Sequence, residues 1–196
     1  MYNFTVIMAL VDYIPVILFG MAGWLILKNF YRKASVLSFT LISSGIVSVL
    51  SAGFFKATWK LLYAVNICNF EILNKGFLYM QSLGFILAGI GMIMMVSDKK
   101  NKVMAAAPAV YSGSMVFIMM MVVGLGMICA SLGILAHRAK KDKAIIFFVL
   151  AFIISMGMGY AGRLDSTLAW VNWLEQSINI VGQACLLGGT LILFKK

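Results

Sequence analysis

Two stretches of 22 residues, Ala34–Phe55 and Gly76–Ser97, contain no charged side chain. As α-helix each would be about 33 Å long, close to the roughly 30 Å thickness of a bilayer's hydrocarbon core. Two further charge-free windows, Ala144–Gly162 and Gln176–Phe194, have 19 residues each. Runs of this length and apolarity belong in lipid, where a helix is one of only two structures that satisfy every backbone polar group. Composition agrees. The chain is 63% hydrophobic and 11% charged, against roughly 45–50% and about 25% in soluble domains, so it lacks the polar surface to cover itself in water. Disorder, coiled coil and a collagen-like fibre are excluded on the same grounds.

Two more spans need interpretation. The stretch Val103–Ala136 is 34 residues long, too long for one straight crossing. Its first part, VMAAAPAVYSG, contains Pro108 and Gly113, which predicts a helix starting near Gly113 and an interfacial or re-entrant segment over 103–112. At the other end of the chain, Phe4–Leu27 is long enough to span but has Asp12 inside it. No basic leader and small-residue cleavage site precede it, so it reads as a mature helix rather than a secretory signal. Residues 56–75 carry Lys56, Lys60, Glu71 and Lys75 among Trp59, Leu61, Leu62, Tyr63 and Phe70, the pattern of an amphipathic loop that lies on the interface or dips into the membrane. The expectation is an all-α polytopic bundle of about six transmembrane helices. It forms a single membrane-embedded domain over 1–196, multi-pass in the cytoplasmic (plasma) membrane.

The two halves resemble each other, with units of approximately 1–100 and 103–196. GWLILKNFYRK around Gly23 parallels GILAHRAKK around Gly133. The following helices carry small residues at four-residue spacing, Ser44, Ser48, Ala52 and Ala151, Ser155, Gly159. Two three-helix units joined directly would point opposite ways, which predicts a 3+3 inverted internal repeat. On that topology the Lys and Arg divide almost evenly between the two sides, leaving orientation open.

The net charge of +10 comes from short basic groups at span ends: Lys28, Arg32, Lys33; Lys99, Lys100, Lys102; Arg138, Lys140, Lys141, Lys143. Cations so placed meet lipid phosphate, so the bilayer is the expected partner and nucleic acid is not. Cys68, Cys129 and Cys185 are widely separated, and His137 is the single histidine, which offers no metal-ligand set. No HExxH, GxSxG or Walker motif is present. No catalytic residue, metal or cofactor is therefore assigned.

Chemistry concentrates in two polar stripes. Glu175, Asn179 and Gln183 recur every four residues and share one face of the last helix, with Asn172 beside them and Trp170 and Trp173 at the entrance. A second set, Asn74 and Gln81 with Glu71 and Lys75, begins the third helix. Polar groups facing lipid lose water without replacement, so these faces should turn into the bundle. Asp12, beside the helix-weakening Pro15, is read either as an intramembrane carboxylate or as the cap of a helix starting at Tyr13. These residues suggest binding or transport of a small solute in a polar pocket inside the bundle. The alternative is a structural or regulatory subunit that packs through small-residue faces against a membrane-protein partner or a second copy. A membrane-embedded enzyme ranks third.

Overall fold

The computed structural model describes residues 5–97, 114–161, 164 and 168–195. All regular structure among them is helical: α1 (Val6–Val11), α2 (Tyr13–Phe30), α3 (Val36–Ala64), α4 (Glu71–Val96), α5 (Ser114–Arg138), α6 (Asp142–Ala161) and α7 (Ala169–Phe194). Five segments are long and apolar enough to cross a membrane: Val6–Phe30, which joins α1 and α2, then α3, α4, Val116–Arg138 of α5, and α7. Residues 103–112, read from sequence as interfacial or re-entrant, lie outside the described residues.

The first span is one rod with a break. Thr5 caps α1 by accepting from Met8 N at 3.2 Å, and the helix is interrupted at Asp12 before resuming at Tyr13. Pro15 has no N–H to offer the Val11 carbonyl, which explains an interruption there. Asp12 makes no side-chain capping bond to α2, so the capping alternative fails and the carboxylate is free for other work.

α3 corrects the expected 56–75 loop. The helix continues through Lys56 and Lys60 to Ala64, leaving only 65–70 as connection. Trp59 and Lys60 are both buried, so the second lysine extends a packed face instead of ending it. The helix stops where Asn66 adopts a left-handed conformation (φ 54°). Asn66 N and Ile67 N bond back to Tyr63 O and Leu62 O, the closing pattern of a Schellman turn. Trp59 Nε1 then ties the connection down by donating to Asn69 Oδ1 at 2.9 Å.

The six rods form a closed ring in chain order, with α7 packing back on α2. α3 lies antiparallel to α2, as Tyr13 meets Thr58 and Gly23 meets Ile46. It is antiparallel to α4 as well: Ser38 Oγ donates to Gly91 O and Ser48 Oγ to Met80 O. That second contact is very close. A Cβ on Gly45 would sit 2.5 Å from both Ala88 N and Gly84 O, so the backbones touch where small residues allow it. The small-residue stripe that matters here runs through Gly45 and Ala52, both buried, whereas Ser44 is exposed.

α5 runs parallel to α4. Tyr79 stacks edge-on against Phe117, Gly124 abuts Phe85, and Arg138 donates to Val96 O at 3.2 Å. α6 returns antiparallel to both α5 and α7, and α7 runs parallel to α2, with Gln176 beside Met8 and Phe30 against Phe194. Among the described residues α2 and α5 therefore point the same way.

The directions also redistribute charge. Lys28, Arg32, Lys33, Arg138, Lys140, Lys141, Lys143 and Lys195 gather at one end, where Lys141 Nζ donates to Leu193 O at 3.0 Å. Among the described residues the other end holds only Lys56, Lys60 and Lys75. Among the described residues, then, the basic side chains lie mainly at one end. Between the ends, Phe19, Ile42, Ile46, Phe85, Met92, Leu132, Phe148 and Leu186 fill the centre of the ring.

Candidate functional site

A cavity of about 80 Å3 lies inside the ring, in the half away from the basic end. One water needs on the order of 10–15 Å3 of such space, so several fit. Four rods wall it. The break in the first span contributes Asp12, Pro15, Val16 and Phe19, and α3 contributes Gly53, Lys56, Ala57 and Lys60. α4 presents Phe77, Gln81 and Phe85, and α7 presents Glu175, Gln176, Asn179 and Gln183. Gln183 lies eight residues beyond Glu175, or about 12 Å along the helix, so the polar lining descends well into the bundle.

The charges are arranged unevenly. Lys60 Nζ lies 2.7 Å from Asp12 Oδ2, with side chains only 5% and 15% exposed, and 3.5 Å from Asn172 Oδ1. Asn172 in turn donates to Leu168 O at 3.2 Å. Pairing is what makes two buried charges tolerable, because each alone would cost several kcal/mol to remove from water. Lys56, one turn earlier on α3, stands 4.2 Å over the Phe77 ring, a cation–π contact. Neither Lys56 nor Glu175 has an ion-pair partner among the described residues.

The amides are the unusual part. Gln176 is 2% exposed and its Nε2 donates to Met8 O at 2.9 Å, which fixes the amide and leaves Oε1 facing elsewhere. That oxygen has no partner, and neither do the buried oxygens of Gln81 and Gln183. Buried polar atoms are normally satisfied, and each one left alone costs roughly 1–3 kcal/mol. All three belong to residues that border one cavity.

Of the residues singled out from sequence, Glu175, Asn179, Gln183, Gln81 and Asp12 all border this cavity. The others do not. Asn74 is half-buried elsewhere on α4, and its neighbours Glu71 and Lys75 pair with each other at 2.6 Å on the exposed surface. Trp170 and Trp173 are 57% and 41% exposed, on the outside of the ring, where tryptophans suit the membrane interface. Gln176 is the lining residue that sequence reasoning did not single out; Lys56 and Lys60, expected at a helix end to meet lipid phosphate or an anion, border the cavity as well. Gly53, Lys56, Ala57 and Lys60 follow the spacing of one helical face, a signal obscured by treating 56 onward as loop. Asn172, Gln176, Asn179 and Gln183 do the same on α7.

Among the described residues no group of His, Cys, Asp and Glu could hold a metal ion. Comparison of the chain with protein-family models, with curated proteins and with solved structures found no match in any of the three.

Proposed function

We propose that this is a multi-pass protein of the cytoplasmic membrane that binds a small polar solute in the cavity between α2, α3, α4 and α7, as the binding step of its transport. The observation that carries the reading is the set of three unpartnered glutamine oxygens around one charged cavity. Hydrogen bonds between helices are worth only about 0.6–2 kcal/mol in membranes, a weak reason to keep Gln81, Gln176 and Gln183 with open acceptors. A solute that donates to them gives a stronger one. On this reading α6, 20 residues or about 30 Å long, is the sixth crossing, because it links the parallel spans α5 and α7. We read the basic end as cytoplasmic by the positive-inside tendency, so the cavity lies toward the opposite face.

The test is thermal unfolding of the detergent-purified protein with methylamine, acetate, acetamide and glycine, one at a time. A solute bound at about 100 times its Kd stabilises the folded state by about 2.7 kcal/mol, a measurable rise in Tm. At least one solute is expected to raise Tm, and the rise should vanish in the double variant Asn179→Leu, Gln183→Leu. No rise with any of the four, or a rise that survives in the double variant, refutes the proposal.

A further inference from the structure

We infer that the solute is a small zwitterion with a primary ammonium group, the size of glycine or alanine. The inference rests on the binding role proposed above and adds the chemical class. Its first support is the charge left over. Lys60 and Asp12 neutralise each other at 2.7 Å, which leaves one cation, Lys56 on α3, and one carboxylate, Glu175 on α7, bordering the same cavity without a contact ion-pair partner among the described residues. Inside a bundle each unpaired charge seeks an opposite one. A simple cation offers Glu175 a contact counter-charge and Lys56 none, and a simple anion does the reverse. A zwitterion satisfies both, and it loses translational freedom once where two separate ions would lose it twice.

The second support is the donor count. Gln81, Gln176 and Gln183 offer three acceptor oxygens without partners. Gln176 Nε2 is committed to Met8 O, so this side chain has only its oxygen left to offer a solute. A primary ammonium carries three N–H donors, whereas a quaternary ammonium carries none. The third support is size. About 80 Å3 corresponds to roughly five to eight water-sized positions, which suits a molecule of five or six heavy atoms. The carboxylate then faces Lys56, and the ammonium faces Glu175 and the glutamine oxygens.

The experiment is equilibrium binding of radiolabelled glycine to the purified protein in nanodiscs, with methylamine, acetate and glycine betaine as competitors. Glycine is expected to bind and to outcompete all three. Lys56→Met and Glu175→Gln should each weaken it about thirtyfold or more, the usual consequence of removing one partner of a buried charge pair. Circular dichroism and Tm of each variant establish that it is folded. Methylamine or acetate competing as well as glycine overturns the zwitterion, and betaine competing equally overturns the primary ammonium. If glycine fails to bind while methylamine, acetate or acetamide raises Tm in a manner lost with Asn179→Leu, Gln183→Leu, this inference falls and the binding role stands. If no solute has any effect, both fall.

Discussion

Lys60 on α3 holds the Asp12 carboxylate at 2.7 Å, where the first span breaks between α1 and α2. The pair thereby couples the break to the far end of the next helix, with both side chains almost fully enclosed. Breaking such a pair from one side strands the other charge, at a cost of about 3–5 kcal/mol, whereas replacing both partners by apolar residues is often neutral. Asp12→Asn should therefore lower stability by roughly 3 kcal/mol, and Asp12→Leu combined with Lys60→Met should recover most of it. Denaturant unfolding of the single and double variants in detergent measures the difference. Equal losses in both would show that the pair contributes mainly through its surroundings.

The approach of α3 to α4 gives a second prediction. Gly45 has no room for a methyl group, because the obstructing atoms are the backbone of Gly84 and Ala88 and cannot swing aside. Gly133, in the interior of α5, has nothing within 4 Å of an added Cβ. Gly45→Ala should destabilise by about 1–3 kcal/mol through overpacking. Gly133→Ala should stabilise by up to about 1 kcal/mol through helix propensity. Opposite signs for two identical substitutions are the readout, and like signs would mean that α3 and α4 are less closely packed.

Topology is open to direct labelling. Lys33 follows α2 and Lys141 precedes α6, and both lie at the end where Phe30 meets Phe194 and Lys141 donates to Leu193 O. Asn69, between α3 and α4, lies at the other end. With Cys68, Cys129 and Cys185 replaced by Ser, single cysteines at positions 33 and 141 should react with a membrane-impermeant thiol reagent from the same side. A cysteine at position 69 should react from the opposite side. Reaction of positions 33 and 141 from opposite sides would support the 3+3 inverted arrangement expected from sequence.

Much of this fold was legible because lipid imposes so few solutions. Charge-free windows of about 20 residues announce their helices regardless of what they pack against. Direction was not legible. It depends on how α4 and α5 lie side by side, a tertiary relationship seen in the Gly124–Phe85 and Arg138–Val96 contacts, and no periodicity within either helix records it. The site divided along similar lines. Glu175, Asn179 and Gln183 stood out as polar residues in an apolar run, and they do border the cavity. Lys60 was misread because a lysine signals an interface only while it lacks a partner, and its partner, Asp12, lies on another span. Trp170 and Trp173 suit a pocket wall and a bilayer interface equally well in sequence, and only the structure shows both exposed outside the ring.

Gln176 separates a structural role from a binding role. Its amide joins α7 to α1 through the 2.9 Å bond to Met8 O, and its own oxygen is left buried without a donor. Met8 O also accepts from Asp12 N at 3.3 Å, so losing the glutamine does not leave that carbonyl bare. In Gln176→Leu the lost hydrogen bond, about 0.6 kcal/mol in membrane proteins, is offset by removal of an orphaned acceptor that costs roughly 1–3 kcal/mol. The variant should therefore unfold within about 1 kcal/mol of the parent, or slightly above it. Binding should respond differently, because a residue that borders the cavity loses its acceptor and becomes apolar. A loss of about tenfold in solute affinity corresponds to about 1.4 kcal/mol, the strength of one hydrogen bond to a charged donor. Tm in detergent and glycine binding in nanodiscs, measured on the same variant, check the two halves together. A variant that loses stability and keeps its binding would make Gln176 a tie between helices, and the cavity would then depend on Gln81 and Gln183 for its acceptors.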